Sequence, residues 1–156
     1  MSRMYTVATS GAVTAAVDLL EVIAADDKSV RLRGFSISQT SDVGDAAEEN
    51  LEISVKRFSG AYTGGSGGSA PTPSLIDSAD TAAAFATEVR NTTQASGGTS
   101  VTLISLGWNE RASPFEWWAP GPEFAPVGKQ SEALVVTITA PADSVTIQTT
   151  FWLEEL

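Results

Sequence analysis

In the run Leu51-Glu-Ile-Ser-Val-Lys-Arg-Phe58, the apolar residues Leu51, Ile53 and Val55 alternate cleanly with polar neighbours. That period of two is what a half-buried strand requires, and it predicts one here. A looser version runs through residues 29–39, where Val30, Leu32, Phe35 and Ile37 share a face only if the phase slips near Gly34, so a bulge is predicted there. Further strands are predicted at residues 4–9, ended by a turn at Ser10-Gly11, and at 100–108, 115–118, 132–139 and 144–153. Residues 17–24, Val-Asp-Leu-Leu-Glu-Val-Ile-Ala, suit a strand or a helical turn and are read as a strand. The last two strands are joined by Ala140-Pro-Ala-Asp143, short enough for a hairpin.

The intervening segments carry no strand period. Residues 40–50 form an acidic loop, and residues 63–73, rich in Gly, Ser and Pro, read as a long flexible surface loop. Residues 78–87 tolerate one helical turn at most, because their small side chains supply little apolar surface. About eight short strands without βαβ alternation predict an all-β chain, a single-domain antiparallel β-sandwich or jelly roll with long loops over residues 1–156. No internal repeat of fixed period is visible.

Composition removes whole classes of chemistry. The chain has no Cys and no His, so disulfides, thiolate zinc sites, cysteine nucleophiles and serine–histidine mechanisms are all excluded. Nine basic against nineteen acidic residues give a net charge of −10, and the bases gather no further than Lys56-Arg57 or Arg31-Leu-Arg33. No nucleic-acid partner is expected from that balance. No membrane partner is expected either, since the longest apolar runs fall far short of the roughly 20 residues of a spanning helix and the N-terminus lacks a signal-peptide core.

Carboxylates are the abundant chemistry. Asp42, Asp45, Glu48 and Glu49 share one loop, but their spacing lacks the ligand order of a calcium loop and reads as a solvated acidic turn. The glycines at 64, 65, 67 and 68 lack the Gly-Lys-Ser/Thr ending of a phosphate loop, and Asn91-Thr-Thr93 matches a glycosylation sequon that has meaning only on a secretory route. No catalytic residue, cofactor site or metal site is assigned, so the chain is expected to bind or build rather than to catalyse. The most unusual local feature is Phe115-Glu-Trp-Trp118 between Pro114 and Pro120. If it is a strand, Trp117 and Trp118 face opposite ways, one able to fill a core and the other to meet a partner. Trp117, Trp118, Phe115, Tyr5 and Trp108 are the interface candidates.

The order of these features, from the acidic loop Gln39-Thr-Ser-Asp-Val-Gly-Asp45 through the Gly/Ser/Pro loop, Asn91-Thr-Thr93 and the Trp/Pro segment to the closing Leu153-Glu-Glu155, resembles a family of small proteins from tailed-bacteriophage structural modules. The resemblance covers nearly the whole chain. It implies a virion protein made in the host cytoplasm, and the physical profile within that setting looks like a head decoration, or cement, protein. Such a protein would seat on the major capsid protein at the outer capsid surface as a homotrimer, with residues 63–73 and 1–9 lying across neighbours. A tail, baseplate or receptor-binding component and a carbohydrate-binding module are the alternatives.

Overall fold

A computed structural model of the chain describes residues 2–41, 49–112 and 114–156. The strands among the described residues are β1 (Arg3–Val13), β2 (Val17–Ile23), β3 (Val30–Gln39), β4 (Asn50–Thr63), β5 (Ser74–Leu75), β6 (Ala86–Glu88), β7 (Ser96–Asn109), β8 (Phe115–Trp118), β9 (Val127–Gly128), β10 (Ala133–Ile138) and β11 (Val145–Glu155). A single 3-10 turn occupies Pro122–Phe124. The first sheet has the order β5-β1-β11-β3-β8, with β9 also on β3, and the second has the order β6-β2-β10-β4-β7. All pairings are antiparallel, and the two sheets pack face to face as a β-sandwich, as the strand count predicts.

The chain changes sheet at each step from β1 to β4, and β10 and β11 then enter the centres of opposite sheets. Here the hairpin expected across Ala140-Pro-Ala-Asp143 fails. Strand β10 has both edges taken by β2 and β4, and β11 has both taken by β1 and β3, so the link crosses from one sheet to the other instead. The turn expected at Ser10-Gly11 is also absent, because β1 continues to Val13. Gly11 serves a different need: the Arg90 guanidinium lies across it, donating to Ser10 O at 3.0 Å and Ala12 O at 2.8 Å, in space a Cβ would fill. No helical turn forms within residues 78–87.

The predicted slip near Gly34 is present. Trp152 pairs with Gly34 and Leu153 with Leu32, so Arg33 is the extra residue, and the inward set changes from Val30 and Leu32 to Phe35 and Ile37. These residues meet Leu51, Ile53, Val55, Val136, Ile138, Ile147 and Phe151 in one core between the sheets. A smaller cluster of Phe58, Ala133 and Val135 lies on the other side of the second sheet, against Tyr62 and Ala95. Residues 64–69 and 89–95 run over that face as a roof, bonded to Asp18, Glu21 and one another, while the stretch between them crosses to the first sheet, where Ser74–Leu75 pair with β1; every residue of β10 is buried.

Candidate functional site

The outer face of the first sheet is the most distinctive surface of the molecule. Odd-numbered residues of β1 and β11 point into the core, which leaves Thr6, Ala8, Thr150, Trp152 and their even-numbered neighbours outside. Strand register aligns Thr6, Trp152, Gly34 and Trp118 in one row across four strands. Gly34 has no side chain, so the indoles of Trp118 and Trp152 meet above it with ring centroids 4.4 Å apart. A Cβ on Gly34 would stand 2.6 Å from the Trp118 ring. Trp118 is 48% exposed, and its Nε1 donates to Glu116 Oε2 at 3.4 Å.

The other interface candidates are distributed by the pleat. Trp117 points inward and stacks on Phe35 at 5.6 Å, with Phe115 on another side of the same ring at 6.3 Å. Trp108 is buried opposite Leu51, and Tyr5 is buried against Phe85 with its hydroxyl donating to Thr81 O at 3.0 Å. Among these five candidates Trp118 has the exposed ring. Trp152, which sequence reasoning left among the closing-strand residues, is its companion. Register to Gly34 is the signal that joins them, and it needs the sheet order to be known.

Beside this row the acidic end of β11 is neutralised. Glu154 Oε2 takes Arg33 Nη1 at 2.9 Å and Arg31 Nη1 at 3.0 Å, and Glu155 Oε1 takes Lys28 Nζ at 2.6 Å. Burial alone would push both carboxyls up, but these cations and the Ala84 N–H on Glu155 outweigh it and hold both below the usual range.

A second acidic group lies beneath the roof of the other sheet. Glu21 and Glu88 stand directly opposite each other on β2 and β6, a like-charge pair, and both accept from Asn91 Nδ2, at 3.3 and 2.9 Å. Glu21 is 1% exposed, and its Oε2 also accepts from Gly65 N at 2.8 Å. Asp18 accepts from Ala95 N at 2.6 Å. Burial raises the carboxyls of Asp18 and Glu21 above their ordinary values, and the charges of Glu88 and Asp18 push Glu21 further. Two opposed carboxylates with one shifted upward is the pattern of an acid–base pair. Glu21 is held through its Oε2 by Gly65 N and Asn91, its buried Oε1 has no hydrogen-bond partner among the described residues, and Glu88 with Asn91 and the loop 65–70 lines a cavity of about 180 Å³. Asn91, the head of the sequon match, is itself 1% exposed and committed to these bonds.

The Gly/Ser/Pro loop is held down along its length. Ser66 and Thr93 exchange backbone hydrogen bonds at 2.9 and 3.0 Å, Ser69 and Val89 at 3.0 and 2.8 Å, and Thr87 Oγ1 donates to Pro71 O at 2.8 Å. Residues 3–9, proposed as an arm across neighbours, are instead built into β1 between β5 and β11. The acidic-loop residues Asp42, Asp45 and Glu48 lie outside the described residues, while Glu49 Oε1 accepts from Ala142 N at 2.6 Å. Among the described residues no group of three or more acidic side chains is arranged to hold a metal, and no helix is long and apolar enough to cross a membrane. Compared with known proteins, the chain matches no family model, no curated protein and no solved structure.

Proposed function

We propose that this chain is a non-enzymatic virion structural protein, a decoration or cement protein of a tailed-bacteriophage head. In this reading it docks on the major capsid protein through the open face of its first sheet and acts as a symmetric oligomer. The observation that carries the reading is the Trp118–Trp152 pair, a preassembled aromatic ledge on the outer face of the first sheet. Aromatic rings held by their own sheet lose little freedom on docking and commonly dominate interface energies. The strand order, β1-β11-β3-β8 facing β2-β10-β4-β7, is that of a jelly roll, an architecture shared by viral capsid and lectin domains. Fold alone assigns no function, so the weight rests on the face and on the resemblance to phage structural modules. A net charge of −10 suits an outer surface turned away from packaged DNA.

Quantitative mass spectrometry of purified virions tests this directly. Copies comparable in number to the major capsid protein support decoration, a far smaller number moves the chain to the tail or baseplate, and absence overturns the virion reading. A carbohydrate-binding module is the second reading, favoured by the same exposed indole. It predicts a hit on a glycan array that Trp118→Ala abolishes.

A further inference from the structure

A pocket beside the outer edge of β7 is lined by none of the residues of the docking row. It encloses about 300 Å³ between Leu103 and Ile104 of β7, the segment 124–127 after the 3-10 turn, and Arg57 of β4. Apart from Arg57 its walls are apolar, and Phe124 on its rim is 65% exposed. Among the described residues Arg57 forms no ion pair, and its guanidinium makes one hydrogen bond, Nη1 to Val127 O at 3.5 Å, the limit of such a bond. The other arginines near carboxylates are not left so: Arg3, Arg31 and Arg33 are paired, in a chain with nineteen acidic residues. A planar fork of five donors in an apolar pocket, with nearly all of them unspent, matches a carboxylate in geometry as well as charge.

The strand that forms one wall is also an open edge. Strand β7 is outermost in its sheet and 14 residues long, whereas the outermost strands β5, β6 and β8 have 2, 3 and 4. Residues 91–109 contain no charged side chain, so β7 lacks the charges that usually blunt an exposed edge. Its register to β4 slips between Ile104 and Thr102, which makes Leu103, a wall of the pocket, the bulged residue.

We propose that β7 and this pocket together receive an extended peptide of a partner protein, which adds as a strand to β7, places a carboxylate on Arg57 and sets an apolar side chain between Leu103 and Phe124. Main-chain pairing to the edge supplies affinity, and the pocket supplies selection. The choice of an acidic peptide runs against the net charge of the chain. It is dictated by the neutral edge and by Arg57, the cation that lines the pocket beside it. The inference is independent of the docking reading above.

Fluorescence anisotropy of the full chain with a labelled octapeptide of alternating Val and Glu provides the test. The peptide is expected to bind, and Arg57→Met to weaken it by at least about tenfold, the loss of one charge-assisted pair. Phe124→Ala, at an exposed position that leaves the core intact, is expected to weaken it as well. A Val/Lys octapeptide should bind no better than the Val/Glu peptide binds Arg57→Met. Equal affinity of the wild type and Arg57→Met, or equal binding of the Lys peptide, overturns the proposal. Displacement of the peptide by isovalerate at matching concentration assigns the pocket to small carboxylates and overturns the peptide. Dimerisation in ultracentrifugation that excludes the peptide assigns the edge to a second copy and overturns it equally.

Discussion

The two outer faces of this sandwich are treated in opposite ways by the chain that builds them. On the second sheet residues 64–69 and 89–95 fold back as a roof, closing a small apolar cluster around Phe58 and Val135 and burying Asp18 and Glu21 without an ion pair among the described residues. On the first sheet no described segment lies over the face, its acidic residues Glu154 and Glu155 are met by four cations, and the exposed indole of Trp118 meets that of Trp152 at a tilt. The lesson is about where surface is left available. Two short segments cover one face and leave an aromatic pair uncovered on the other, and the proposed docking rests on that contrast.

Substitutions at matched aromatic positions break the comparison most sharply. Phe58→Ala, under the roof, is expected to cost about 3–5 kcal/mol of folding stability, read as a lower denaturant midpoint with an unchanged slope. Trp118→Ala, on the open face, is expected to change that midpoint by about 1 kcal/mol or less while removing about 2 kcal/mol or more of capsid affinity. If Trp118→Ala destabilised the monomer as much as Phe58→Ala and left affinity unchanged, the ring would belong to the fold and not to a partner.

The two acidic groups give a finer test. Glu155→Gln strips the compensating charge from Lys28 and Arg3 and is expected to cost about 1 kcal/mol, a figure kept low because the Lys28 side chain is 37% exposed. Glu21→Gln relieves the opposition to Glu88 while keeping the shape, and is expected to be neutral or stabilising by about 1 kcal/mol at pH 7, as measured by thermal unfolding.

Smallest is the effect on the shape of the stability–pH curve. Asp18 and Glu21 bind protons more tightly when folded, so their contribution is full below their ordinary values of 3.8 and 4.5 and declines as pH rises through the raised folded values. Glu52, Glu154 and Glu155 behave oppositely, contributing fully above 4.5 and losing that contribution as pH falls through their depressed folded values. Glu21→Gln should flatten the decline above pH 4.5 and leave the acid limb unchanged.

Much of the sandwich was legible because its strands are local patterns. The alternation of Leu51, Ile53 and Val55 and the slip at Gly34 both appear in the structure as read. What failed was the interpretation of small residues and short links, whose meaning is set by distant partners. Ser10-Gly11 has the composition of a turn but makes room for Arg90, and Ala140-Pro-Ala-Asp143 has hairpin length but joins two strands whose edges are already filled. The roof is invisible in the sequence because residues 64–69 and 89–95 owe their order to bonds with Glu21, Asp18 and one another, not to any period. The candidate sites divided in the same way: the opposite facing of Trp117 and Trp118 follows from the pleat, whereas the meeting of Trp118 with Trp152 requires register, and Arg57 gained meaning only from the pocket around it.

The central claim, that the open face is the docking face, is tested most directly by hydroxyl-radical footprinting with mass spectrometry, comparing the free chain with the chain on intact virions. The account predicts that oxidation of Trp118 and Trp152 falls sharply on the virion while residues of the 63–73 loop are modified as in the free chain. Equal oxidation of both tryptophans in the two states would contradict it.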